Sequence, residues 1–128
     1  MVMNDSNTFT IKGSNFKNTV NFILISRGTK GKIIVENSTV DVGAGALSIT
    51  GLEGQEADVE VTNVKVTKVQ YVIYSFNFVK LKMTDCWTVD IGFIDQIAPI
   101  VFYRSTATIT GGGVEDSTST VDASVNAV

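Results

Sequence analysis

Asp85, Asp90 and Asp95 recur at five-residue intervals, and carboxylates are the groups that hydrolysis of a glycosidic bond requires in pairs. If the chain winds into coils, this spacing puts the three on different sides of one coil, so they read first as solvated turn residues, the commoner state of Asp. Cys86 is the only cysteine and there is no histidine. An internal disulfide is therefore excluded. Nucleophilic dyads and catalytic zinc lose their commonest base and ligand together. Cys86 is expected as a small buried hydrophobe. Calcium-loop spacing of the D-x-D-x-D-G kind is absent, and neither Gly43-Ala44-Gly45-Ala46 nor Gly111-Gly112-Gly113 ends in the Lys-Ser/Thr of a phosphate loop. The expectation is no catalytic residue, no metal site and no cofactor.

The elements that carry these residues are strands. Val, Ile, Thr, Phe and Tyr dominate, and no long segment places apolar residues at helical spacing. Five segments share one pattern of apolar, variable, apolar, polar, then Gly, Asn or Asp: Phe9-Thr10-Ile11-Lys12-Gly13, Ile33-Ile34-Val35-Glu36-Asn37, Val59-Glu60-Val61-Thr62-Asn63, Leu81-Lys82-Met83-Thr84-Asp85 and Ala107-Thr108-Ile109-Thr110-Gly111. Their second apolar positions are 24, 26, 22 and 26 residues apart, the even spacing of a solenoid. Gly, Asn and Asp tolerate the left-handed backbone a turn needs. Asn37, Asn63 and Asp85 are thereby expected to stack in adjacent coils, with amides bonded along the stack. A second apolar strand follows each turn, at Phe22–Ile25, Ala46–Ile49, Tyr71–Tyr74 and Ile91–Ile94. Between the two lie Phe16, Val40, Val66 and Val114, with Thr88-Val89 irregular.

On these residues the chain resembles the right-handed parallel β-helix superfamily of pectate lyases and phage tailspike shafts, over residues 8–114. The resemblance implies an all-β fold, a small right-handed parallel β-helix of about five coils, with an antiparallel β-sandwich as the alternative. It brings no catalytic motif. Residues 1–8 are expected as an arm or cap, 9–114 as the β-helix, and 115–128 as a tail that either adds a strand, with Val121, Ala123, Val125 and Ala127 on one parity, or stays disordered. Outward positions of the repeat, Thr10, Ile34, Glu60, Lys82 and Thr108, show no obvious carboxylate pair, and Thr108-Ile109-Thr110 is a Thr-x-Thr motif in one coil only.

Two features stand out on the surface. Segments 69–79 and 97–103 are apolar on both parities, so an outward aromatic flank is expected, and such patches mark protein interfaces. Tyr71, Tyr74, Phe76, Phe78, Phe102 and Tyr103 are the candidate protein-binding anchors; Trp87, beside a turn, reads as a cap. Charge is blocky: residues 1–35 carry net +4, 36–60 net −6, 61–84 net +4 and 85–128 net −5, within a total of −3. In a solenoid the blocks become adjacent rings that pair between coils, or a basic first end and an acidic last end that favour head-to-tail docking. Charged residues are 18% against 44% apolar, and without a basic excess a nucleic-acid partner is not expected. No basic-then-apolar leader opens the sequence and no apolar run reaches ~20 residues, so no membrane partner is expected and a cytoplasmic or virion-associated place is. The function expected is a non-enzymatic structural or interaction protein, homo-oligomeric, such as a phage virion or appendage component. The alternatives are a phage-encoded inhibitor of a host defence protein and a minimal carbohydrate-active enzyme.

Overall fold

A computed structural model describes residues 7–28, 30–69, 74–89 and 100–115. Ten strands follow one another: β1 Thr8–Lys12, β2 Asn15–Arg27, β3 Lys32–Thr50, β4 Ala57–Val69, β5 Tyr74–Asn77, β6 Val79–Thr84, β7 Trp87–Val89, β8 Ile100–Tyr103, β9 Thr106–Thr110 and β10 Gly113–Glu115. All named strands pair in parallel. That rules out the antiparallel sandwich and gives a parallel β-solenoid. Thr8 and Glu115, expected in the arm and the tail, are strand residues.

The first side stacks β1, β3, β4, β6 and β9 so that Ile11, Val35, Val61, Met83 and Ile109 lie in one column. The five aligned segments are thus five rungs of one ladder. Complete turns are fewer, about three instead of the expected five. A rung becomes a turn only when the chain is followed round every side, and residues 70–73, 90–99 and those beyond Glu115 fall outside the described part. The second side stacks Phe16, Val40, Val66, Thr88 and Val114. The third stacks β2, the end of β3, β5 and β8, with Leu24, Leu47, Tyr74 and Ile100 in register.

The chain can turn where its residue types allow it. Gly13, Asn37, Asn63, Asp85 and Gly111, one per rung, all take positive φ between 50° and 65°, a region that small polar residues and glycine enter most readily. The Asn63 side-chain amide donates to Asn37 Oδ1 at 2.8 Å, so the expected ladder forms there. The next column holds Ser14, Ser38, Val64 and Cys86. Ser14 and Ser38 Oγ donate to the carbonyls two residues back, Lys12 O at 3.2 Å and Glu36 O at 2.9 Å. Cys86 Sγ does the same to Thr84 O at 3.4 Å. Cys86 is buried and its thiol is pushed up by that burial: it is a corner donor as well as a filler, and thiolate chemistry is disfavoured.

Inside the coils, Ile33, Val35, Val40, Ile49, Val59, Val61, Val64 and Val66 are sealed from solvent. Parallel sheets bury β-branched residues in this way.

Candidate interaction surface

The outward face of the first side collects the charge. Lys12 pairs with Glu36 on the next rung at 2.8 Å and Lys32 with Glu60 at 2.8 Å. The first basic block and the acidic block after it are therefore joined by inter-coil ion pairs. The Glu36 carboxylate, through its hydrogen bond first, raises the Lys12 ammonium. The Lys32 hydrogen bond holds the Glu60 carboxyl below the usual range, aided by the charges of Lys32 and Lys82.

A shallow open groove of about 380 Å³ runs across this face, its charged lining being Lys32, Asp58, Glu60, Lys80 and Lys82. The pair absent from the sequence reading is here: Asp58 and Glu60 stand two apart on one strand face. Glu60 is held as an anion by its lysine partner, which disfavours it as a proton donor and weakens it as a base. Asp85 is exposed at its corner, and Asp90 and Asp95 lie outside the described residues. Among the described residues no group of three or more metal-binding side chains converges, and no helix is long and apolar enough to cross a membrane.

The six aromatic anchors separate. Tyr74, Phe76 and Phe102 are each 1% exposed and belong to the core. Phe76 stacks on Phe102 with centroids 5.5 Å apart, and on Tyr74 at 6.2 Å. Their expected outward position is corrected, and for Tyr74 and Phe76 the reason is local to Phe78. This residue takes φ 53°, and a corner there restarts the alternation: Tyr74 and Phe76 point inward before it, and Val79, Leu81 and Met83 after it. Among the described residues 74–83, the buried Tyr74, Phe76, Val79, Leu81 and Met83 are thus one inward face read across a bend. The Tyr74 hydroxyl is buried without a hydrogen-bond partner among the described residues, and burial holds it well above the usual phenol range. Tyr71 lies outside the described residues.

Phe78 and Tyr103 remain on the surface side, half-buried and 41% exposed respectively. Between them the Arg104 guanidinium sits 5.5 Å from the Phe78 ring centroid and 5.0 Å from that of Tyr103, within cation–π range. Arg104 also takes positive φ, 47°. Bulky residues enter this region at a cost; the corner after the third side is turned by Gly28 at φ 65° in the first rung and by Phe78 and Arg104, stacked on each other, in the last two. Sequence reasoning missed Arg104 because no glycine or asparagine marks that bend. Trp87, 39% exposed, lies against the backbone of Gly113, where any Cβ would come within 2.9 Å of its ring. It clamps β10 on β7.

Ile109, expected to share the interior with the other second apolar positions, does not. It continues the column of Val35, Val61 and Met83, which are at most 2% exposed, yet is itself 42% exposed. Every residue of β9 is exposed. Its position as last member of the aligned column was the available signal.

No protein-family model matches the chain, and no curated protein or solved structure matches it.

Proposed function

We propose that this chain is a non-enzymatic interaction protein that assembles with other protein chains, first of all with copies of itself, on a right-handed β-helix of the kind found in phage spike shafts. The observation that carries the reading is Ile109, 42% exposed at the last end of a column whose interior members Val35, Val61 and Met83 are sealed. A core that, among the described residues, stops without a cover at a strand paired on one side only is a surface for another chain. Tyr103 and Phe78 beside Arg104 extend it with the aromatic and Arg chemistry that interfaces favour. Net charge −3 and an ion-paired flank support a protein partner over nucleic acid, and the reading needs no cofactor, metal or membrane.

Light scattering coupled to size-exclusion chromatography tests it: masses at multiples of 13.7 kDa that rise with concentration are expected, and a monomer throughout the micromolar range overturns self-association. An inhibitor of a host defence protein would use the same surface as such a monomer. A second reading, a carbohydrate-active enzyme, draws on Asp58 and Glu60 in the lysine-lined groove. Turnover on a glycan panel that disappears in Glu60→Gln would establish it.

A further inference from the structure

Resting on the self-association reading, we propose the geometry of the contact: the last rung of one copy receives the first rung of the next, so that the parallel ladder continues head to tail between molecules. Among the described residues β1 pairs only with β3 and β9 only with β6, which leaves one unpaired strand edge at each end.

The two edges match in phase. In a parallel ladder alternate residues turn their backbone groups to the same neighbour. Asn7 O accepts from Lys32 N at 3.0 Å and Gly13 N donates to Glu36 O at 3.1 Å, so the odd residues of the first rung face β3 and Thr8, Thr10 and Lys12 face outward along the axis. At the other end Thr110 O accepts from Asp85 N at 2.9 Å, so Ala107 and Ile109 hold the free groups. Setting Ala107 opposite Phe9 and Ile109 opposite Ile11 repeats the register of every interior pair and lets those free groups meet.

The side chains match in the same register. Phe9 and Ile11 are only half-buried at the first rung, and Ala107 and Ile109 are exposed at the last. Stacking covers both. On the second side Lys17, Asp41, Thr67, Val89 and Glu115 form one column, and its two terminal members, both exposed, carry opposite charge. The rung-to-rung step that already joins Lys12 to Glu36 brings Glu115 of one copy to Lys17 of the next. Such a contact is heterologous, so it does not close a dimer and propagates along the axis.

Sedimentation velocity on the full chain tests this with four variants. Ile109→Arg blocks the last end and Ile11→Arg the first. Each alone is expected to be monomeric, whereas their equimolar mixture forms a dimer and nothing longer, through the two intact ends. Lys17→Glu and Glu115→Lys, both at exposed positions, each weaken association by about tenfold, and the double exchange restores it. Assembly that survives all four changes leaves self-association standing and overturns the head-to-tail geometry, as does a single end-blocked variant that still dimerises. A full chain that is monomeric, but associates once Val121 and Val125 are replaced by Lys, assigns the edge to the chain's own final residues and overturns it too.

Discussion

The first and third sides of the solenoid share one backbone ladder and divide their side chains differently. On the first, β-branched and aliphatic residues point in, Lys, Glu and Thr point out, and glycine, asparagine or aspartate turns each corner. On the third, Tyr74, Phe76 and Phe102 fill the interior, and the corners at Phe78 and Arg104 carry bulky residues at positive φ. The outer surface differs as well: Ser48 is buried there, with the Arg27 guanidinium donating to its Oγ at 3.2 Å and to Thr50 Oγ1 at 3.3 Å. A regular ladder, then, does not require regular corners. Where residues are small the bend is intrinsically accessible, and where they are large stacking of a cation on two rings offsets the backbone cost.

The contrast breaks first, and hardest, at the aromatic interior. Phe76→Ala is expected to cost about 3–5 kcal/mol by denaturant unfolding, against less than about 1 kcal/mol for Ile109→Ala at the exposed end. Equal costs would mean that the third side is not core. Next come the glycines of the first corner column and its neighbour. A Cβ at Gly112, where φ is +77°, would lie 2.0 Å from the Cys86 carbonyl oxygen, whereas Gly13, at +58°, has open space around it. Gly112→Ala should therefore cost at least about 2 kcal/mol and Gly13→Ala about 1 kcal/mol, by the same assay.

The amide ladder sharpens the comparison at smaller scale. Asn63→Ala loses the bond to Asn37 and the tolerance for positive φ, together about 1–2 kcal/mol, and Asn63→Gly should recover the backbone share. On the third side Tyr74→Phe removes a buried hydroxyl without a partner among the described residues, so thermal stability should hold or rise, by up to about 1 kcal/mol. The smallest effect is ionic. Because Glu60 is depressed by Lys32, its contribution is full above the unfolded carboxyl range and disappears as pH falls through the lower, folded value. Both side chains are about two-fifths exposed, so solvent screening limits the pair to about 0–1 kcal/mol. Glu60→Gln should be slightly less stable than the parent at pH 7 and equal to it in acid.

Legibility in the sequence follows the same divide. The first side could be read because a residue tolerant of positive φ closes each Φ-x-Φ-x segment, and the register sets all five corners in one column. Phe22–Ile25 and Ala46–Ile49 were also legible as strands. Of Tyr71–Tyr74 only Tyr74 lies among the described residues, in β5, which runs on to Asn77. Ile91–Ile94 lies outside the described residues, and the fourth third-side rung is Ile100–Tyr103. The divide has a physical reason. Phe78 and Arg104 bend the chain without the residue types that announce a bend, so the phase of the alternation was carried straight through and inward aromatics were counted as outward. The surface suffered from the same error, since three of its expected anchors are core. Ile109 was visible in the alignment, but its exposure depends on what stacks beyond it.

Strand β3 is bordered along its 19 residues by β1 and β2 on one edge and by β4 and β5 on the other, and this asymmetry sets an order of events in time. Every rung bonds to one more than twenty positions away, so the first pairing must close a long loop before any contact rewards it. Once two coils are zipped, each further coil adds to an existing template at much the same entropic toll. Nucleation then belongs to the centre, and opening starts from the outermost rungs. Amide exchange should accordingly be slowest in β3 and β4 and quicken toward β1 and β9.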